Sequence, residues 1–128
     1  MTVPAPNRSP PNKLLQVQIR AYELYRYTML AACSEKMVPK RQRWCNGQSL
    51  VQAARAVCRC IDRANSIRTD GPAARRRREL QEEAVGWTFN LLTEIHLAYY
   101  SHSFRPRRLQ LWIERVTEVQ QLLAAWMR

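Results

Sequence analysis

Arg55, Arg59 and Arg63 stand four residues apart in the segment SLVQAARAVCRCIDRA. On a helix that spacing lines three guanidinium groups in a row about 12 Å long, at about 1.5 Å per residue. Three more groups of cations offer the same chemistry: Lys40, Arg41 and Arg43; Arg68 with the run Arg75, Arg76, Arg77 and Arg78; and Arg105, Arg107 and Arg108. Lys and Arg contacts to phosphate confer affinity and salt dependence, and carry no sequence information of their own. Tyr27, Trp44 and Tyr100 would add base stacking if exposed. The competing reading of the four-Arg run is a solvated one, because Glu79, Glu82 and Glu83 follow it closely as helical partners. Near Arg55, Arg59 and Arg63 only Asp62 is placed to neutralise charge.

Other chemistries lack their parts. A di-iron bundle site needs Glu from facing helices and Glu-x-x-His pairs; here Glu94 and His96 are two apart and face different ways. There is no Gly-x-Ser-x-Gly elbow, and three glycines could hardly build a phosphate-cradling loop. Cys58 and Cys60, also two apart, point to nearly opposite faces of a helix, and His96 and His102 are not at zinc-ligand spacing. Cys33, Cys45, Cys58 and Cys60 therefore read as buried, reduced, small apolar residues. The expectation is a protein that is not an enzyme and holds no metal or cofactor.

The charge is unevenly placed. The chain carries a formal +11, and residues 37 to 78 alone hold eleven Lys and Arg against Asp62 and Asp70, a net of +9. Local excess of this kind is the footprint of a polyanion binder. No apolar run approaches the roughly 18 residues that span a bilayer, and the start, MTVPAP, lacks the apolar stretch of a secretion signal. The expected compartment is the cytoplasm.

The elements that must position these cations are helices. Few glycines, and prolines concentrated near the start, leave long stretches without a breaker. Residues 1 to 13 (MTVPAPNRSPPNK) have no apolar period and read as a flexible arm before a domain over residues 14 to 128. Leu15, Ile19, Tyr22, Tyr25, Met29 and Cys33 predict one apolar face of a first helix running to about Lys36, closed by Pro39. Leu50, Val51, Ala54, Val57, Cys58, Ile61 and Ala64 mark a second, which Trp44 would continue one turn earlier. Thr69-Asp70-Gly71-Pro72 is turn chemistry, with Gly71 suited to the C-terminal cap and Pro72 to the first turn of the next helix. Leu80, Ala84, Trp87, Leu91, Ile95 and Ala98 mark a third helix, widened by Leu92 and Tyr99 and ended by Ser101-His102-Ser103. Leu109, Trp112, Ile113, Val116, Val119, Leu123 and Trp126 mark the fourth, with Pro106 in its first turn.

Four such stripes on short connections predict an all-α, antiparallel up-down-up-down four-helix bundle. In it Lys40, Arg41 and Arg43 share one pole with Arg105, Arg107 and Arg108, while Arg68 and Arg75 to Arg78 occupy the other. Stripes as wide as the third and fourth exceed the needs of a narrow core, and predict a cyclic homo-oligomer.

The turn Met37-Val38-Pro39-Lys40 with basic residues after it, the second helix SLVQAARAVCRCIDRA and the ending Leu-Leu-Ala-Ala-Trp-Met-Arg carry a resemblance. Over roughly residues 14 to 128 the chain resembles the four-helix bundle family that includes the accessory variability determinant (Avd) of diversity-generating retroelements and proteins encoded in intervening sequences of bacterial 23S ribosomal RNA genes. Ala124 and Ala125 stand where that family often has glycines. The resemblance implies a homopentameric barrel, bacterial or phage-encoded, whose basic surface binds nucleic acid and a reverse transcriptase. In the Avd branch it implies support of cDNA synthesis from a template RNA during mutagenic retrohoming. The other branch would be an rRNA-associated bundle without a polymerase partner. A basic protein-interaction scaffold is the reading of a third class.

Overall fold

The computed structural model describes residues 13–128. The arm expected over residues 1 to 13 lies outside them, except that Lys13 opens the first helix. The described residues form four long helices and no strand: α1 (Lys13–Ala32), α2 (Gln48–Asn65), α3 (Ala73–His102) and α4 (Pro106–Met127). A 3-10 turn (Lys40–Gln42) and a single π-helical turn (Arg43–Gly47) lead into α2. Each long helix packs against two others, α1 and α3 both lying against α2 and α4.

The boundaries follow local chemistry. α2 ends at Asn65 with Ser66 as its cap, so Gly71 is not the expected C-terminal cap; it takes a left-handed φ of 70°, which suits glycine, in the turn before α3, where Pro72 is the N-cap. Ser103 caps α3 in the left-handed region and donates its N–H to Tyr99 O at 2.8 Å. Pro106 is the first residue of α4, where its missing N–H costs nothing. α1 ends at Ala32, four residues before the expected Lys36. Pro39 disfavours helix in the residue before it, and the chain instead turns about Ser34, whose carbonyl accepts from Met37 and Val38 N–H. That turn sends Met37 and Val38 into the end of the core, fully buried.

α2 and α4 bury the stripes the sequence marks. Leu50, Ala54, Val57, Ile61 and Ala64 line one, and Trp112, Val116, Val119 and Leu123 the other. α1 does not. Its buried face is Val17, Ala21, Leu24, Thr28, Ala31 and Ala32, while Ile19, Tyr22, Met29 and Cys33, expected inside, are exposed. α1 is apolar on two sides, and the core takes the side with small residues. Trp112, the largest fully buried side chain, needs space and a hydrogen-bond partner, and Thr28 Oγ1 accepts from its Nε1 at 3.1 Å. On α3 Trp87 likewise stays at the surface, and Thr88 is buried in its place. Thr88 Oγ1 donates to Val85 O at 2.6 Å and accepts from Gln120 of α4 at 3.0 Å.

The cysteines divide. Cys60 is buried and Cys58 half-buried, as expected, but Cys33 and Cys45 are exposed because α1 ends early and the π turn faces outward. Burial pushes the Cys58 thiol up to about 12, helped by Asp62, and its Sγ lies 3.4 Å from Ala21 O of α1. Cys60 is raised mainly by burial and secondarily by Glu83 on α3. Thiolate is the reacting form. Iodoacetamide at mildly alkaline pH is therefore expected to modify Cys33 and Cys45 in the native protein and to spare Cys58 and Cys60 until urea is added. Mass spectrometry of digests checks this; native labelling of Cys58 would contradict its packing against α1.

Candidate nucleic-acid interface

The cations sort by what their guanidinium and ammonium groups already hold. On α2, Arg55 leans toward α1, donating to Tyr25 Oη at 3.1 Å with its charge 5.7 Å from the ring centroid. Arg59 and Arg63 are exposed and form no ion pair among the described residues. Asp62, the acid nearest them in sequence, is engaged elsewhere: it accepts from Tyr22 Oη at 2.6 Å and from Gln18 Nε2 at 3.1 Å. That hydrogen bond to Asp62, with some burial, pushes the Tyr22 hydroxyl up to about 12. The α2 row thus keeps its charge, but its three members do not act as one line, since Arg55 turns onto α1 while Arg59 and Arg63 stay near Cys60, where with Arg76 they partly offset the burial that raises that thiol.

The run at the start of α3 is largely committed to the fold. Arg77 is half-buried, donates to Ala64 O at 3.1 Å and Ile67 O at 3.4 Å, and lies 5.1 Å over the Trp126 ring. Arg78 donates to Met127 O at 2.6 Å and pairs with Glu82 at 3.4 Å. Both are among the expected phosphate contacts, and both are hydrogen-bonded within the chain. They donate to carbonyls at the C-terminal ends of α2 and α4, whose negative dipole ends offset the cost of cations at the positive end of α3. Arg76 pairs with Glu79 at 3.8 Å, and Arg68 with Asp70 at 3.1 Å. Of Arg68 and Arg75 to Arg78, only Arg75 is exposed with no ion pair among the described residues.

The other pole is different. The α1–α2 and α3–α4 connections meet there, tied by His102 Nε2 to Asn46 Oδ1 at 2.9 Å and by Arg108 Nη1 to Met37 Sδ at 3.9 Å. Lys40, Arg41, Arg105, Arg107 and Arg108 are exposed, and none forms an ion pair among the described residues. Arg43, also among the expected contacts, is half-buried and donates to Cys33 O at 2.8 Å and to Glu35 at 3.1 Å, closing the end of α1. Lys36 joins the group, lining a concavity with Ser103, Phe104, Arg105 and Arg108.

Aromatic side chains complete this end. Trp44, expected to extend the α2 stripe, is 79% exposed on the π turn, and Tyr100 is 87% exposed in the last turns of α3. Tyr27 is instead half-buried against the core, edge-on to Trp112 at 5.9 Å with the Arg115 guanidinium 4.7 Å over its ring. Sequence reasoning missed the π turn and Lys36; the Asn46-Gly47 pair signals a turn there. His96 is exposed, with Nδ1 2.8 Å from Leu92 O, and the described residues contain no cluster of three metal-ligating side chains. No described helix is long and apolar enough to cross a membrane.

In comparisons with known proteins, no family model, curated protein or solved structure matches the chain.

Proposed function

We propose that this chain is a non-catalytic nucleic-acid-binding protein that accompanies a reverse transcriptase and supports template-RNA-dependent cDNA synthesis in a diversity-generating retroelement. The polymerase partner rests on the family resemblance. The nucleic-acid part rests on one observation: six exposed cations, Lys36, Lys40, Arg41, Arg105, Arg107 and Arg108, without ion pairs among the described residues, are gathered at the end of the bundle that also bears Trp44. Unpaired surface cations at this density bind phosphate with release of counterions.

An up-down-up-down arrangement is inferred with it. Partners across helix pairs run in opposite numerical order: Gln18 meets Asp62 while Tyr25 meets Arg55, and Arg20 meets Glu118 while Thr28 meets Trp112. Arg78 meets Met127 while Thr88 meets Gln120. A cyclic homo-oligomer is supported by exposed apolar residues on two helices that do not touch each other. Ile19, Tyr22, Met29 and Leu30 lie on α1, and Phe89 and Leu97 on α3. Two unlike faces on separate sides suit the head-to-tail contacts of a ring.

The test is a tagged pull-down from the host cell, with and without nuclease, identifying proteins and sequencing RNA. A reverse transcriptase with one dominant non-ribosomal RNA is expected. Ribosomal RNA without a polymerase would replace this reading with that of an rRNA-associated bundle. An acidic protein retained after nuclease, with no RNA, would replace it with that of a scaffold.

A further inference from the structure

Trp44 is the residue whose placement the core does not explain. The other tryptophans are buried, half-buried or 38% exposed, whereas the Trp44 indole stands 79% in solvent on the single π-helical turn. π turns are rare and recur at functional sites. This one is held in place from both sides: Asn46 is tied to His102 of α3, and Arg43 to Cys33 O and Glu35 beyond the end of α1. An exposed aromatic ring on an anchored turn loses little freedom when it binds.

Its surroundings select a ligand. Trp44 lines a concavity with Glu35, Pro39, Lys40 and Arg41, and Arg41 and Pro39 also line the adjoining one with Gln42, Asn46, Ser101 and His102. The one acid, Glu35, is occupied by Arg43 at 3.1 Å and by the Lys40 backbone N–H at 3.2 Å, so it does not neutralise Lys40 or Arg41. A protein partner covering Trp44 would have to desolvate those two cations, which is costly unless acids meet them. Duplex nucleic acid offers phosphates, but its base faces are stacked inside. A single strand offers phosphates to Lys40 and Arg41 and an open base to the indole.

We propose that Trp44 is a base-stacking platform that makes this pole prefer single-stranded over double-stranded nucleic acid. The inference rests on the nucleic-acid reading above and specifies the strandedness of what that pole takes. Stacking adds affinity that does not depend on counterion release, so it separates from the contribution of the cations.

The experiment measures anisotropy of a labelled oligo-dT of about 12 nucleotides, and of a hairpin duplex with the same number of phosphates, on the full chain at several salt concentrations. Wild type is expected to bind the single strand more tightly. Trp44→Ala should weaken single-strand binding by about tenfold or more, leave the duplex unmoved and leave the salt slope unchanged. Trp44→Phe should retain most of the preference. Circular dichroism should show unchanged helix content, because the ring packs on little. Equal losses on both ligands, or no loss on either, would overturn the platform. So would a Trp44→Ala variant that changes only sedimentation mass, which would make the indole a contact between copies. If the wild-type chain binds neither ligand, the nucleic-acid reading itself fails, a result distinct from equal binding of the two.

Discussion

Trp112→Ala is expected to cost about 3 to 5 kcal/mol of folding stability. The indole is fully buried, its Nε1 donates to Thr28 Oγ1, and its ring meets Tyr27 edge-on at 5.9 Å and Phe104 tilted at 6.1 Å. Phe104 in turn packs edge-on to Tyr99 at 5.2 Å, so the Trp joins α1 and α4 to the turn after α3. Truncation leaves a cavity among residues held by three different segments, which cannot all collapse into it. It also removes the partner of a buried hydroxyl, although a Thr in a helix can turn its hydroxyl to its own backbone. Small domains have about 5 to 15 kcal/mol in total, so this change removes a large share. Urea denaturation followed by circular dichroism measures it, with Trp44→Ala as the exposed control, expected within about 0.5 kcal/mol of wild type. A Trp112→Ala protein as stable as wild type but reduced to a monomer would move the indole from the bundle core to a contact between subunits.

Reversing the charge of Lys40, Arg41, Arg105 and Arg107 to Glu is expected to weaken nucleic-acid binding about a hundredfold or more at low salt. Four phosphate contacts to a single strand give a salt slope near −2.8, or roughly a 50-fold loss of affinity between about 50 and 200 mM salt. The variant should lose most of that slope along with the affinity. Its fold should survive, because these side chains are exposed and form no ion pairs among the described residues. The parallel variant reverses Arg55, Arg59 and Arg63 on α2. If that change removes binding and the polar one does not, the interface lies along α2 and the pole is a solvated surface. Arg77 and Arg78 make poor probes of binding, since reversing them would set carboxylates against the carbonyls at the ends of α2 and α4.

The affinity these cations supply is general for phosphate. Selection among nucleic acids has to come from groups that meet bases, and Trp44 is an exposed aromatic that shares a concavity with Lys40 and Arg41.

What the amino-acid order determined by itself is whatever depends on neighbours a few residues apart. Four helices, the end of α3 at Ser103, Pro106 in the first turn of α4, the buried stripes of α2 and α4 and the concentration of charge before Glu79 all follow from local spacing. Tertiary structure alone decided between the two apolar sides of α1. Ile19, Tyr22 and Met29 repeat as regularly as Val17, Leu24 and Thr28, and the choice turned on which side leaves room for Trp112 and gives its N–H a partner. It also decided which cations are free. A guanidinium on a long flexible side chain reaches whatever carbonyl or carboxylate the fold brings near. Arg77 and Arg78 found the ends of α2 and α4, and Arg43 the end of α1, while Lys40, Arg41, Arg105 and Arg107 found no anion. Those outcomes depend on where distant helix ends come to lie, which spacing along the chain does not encode.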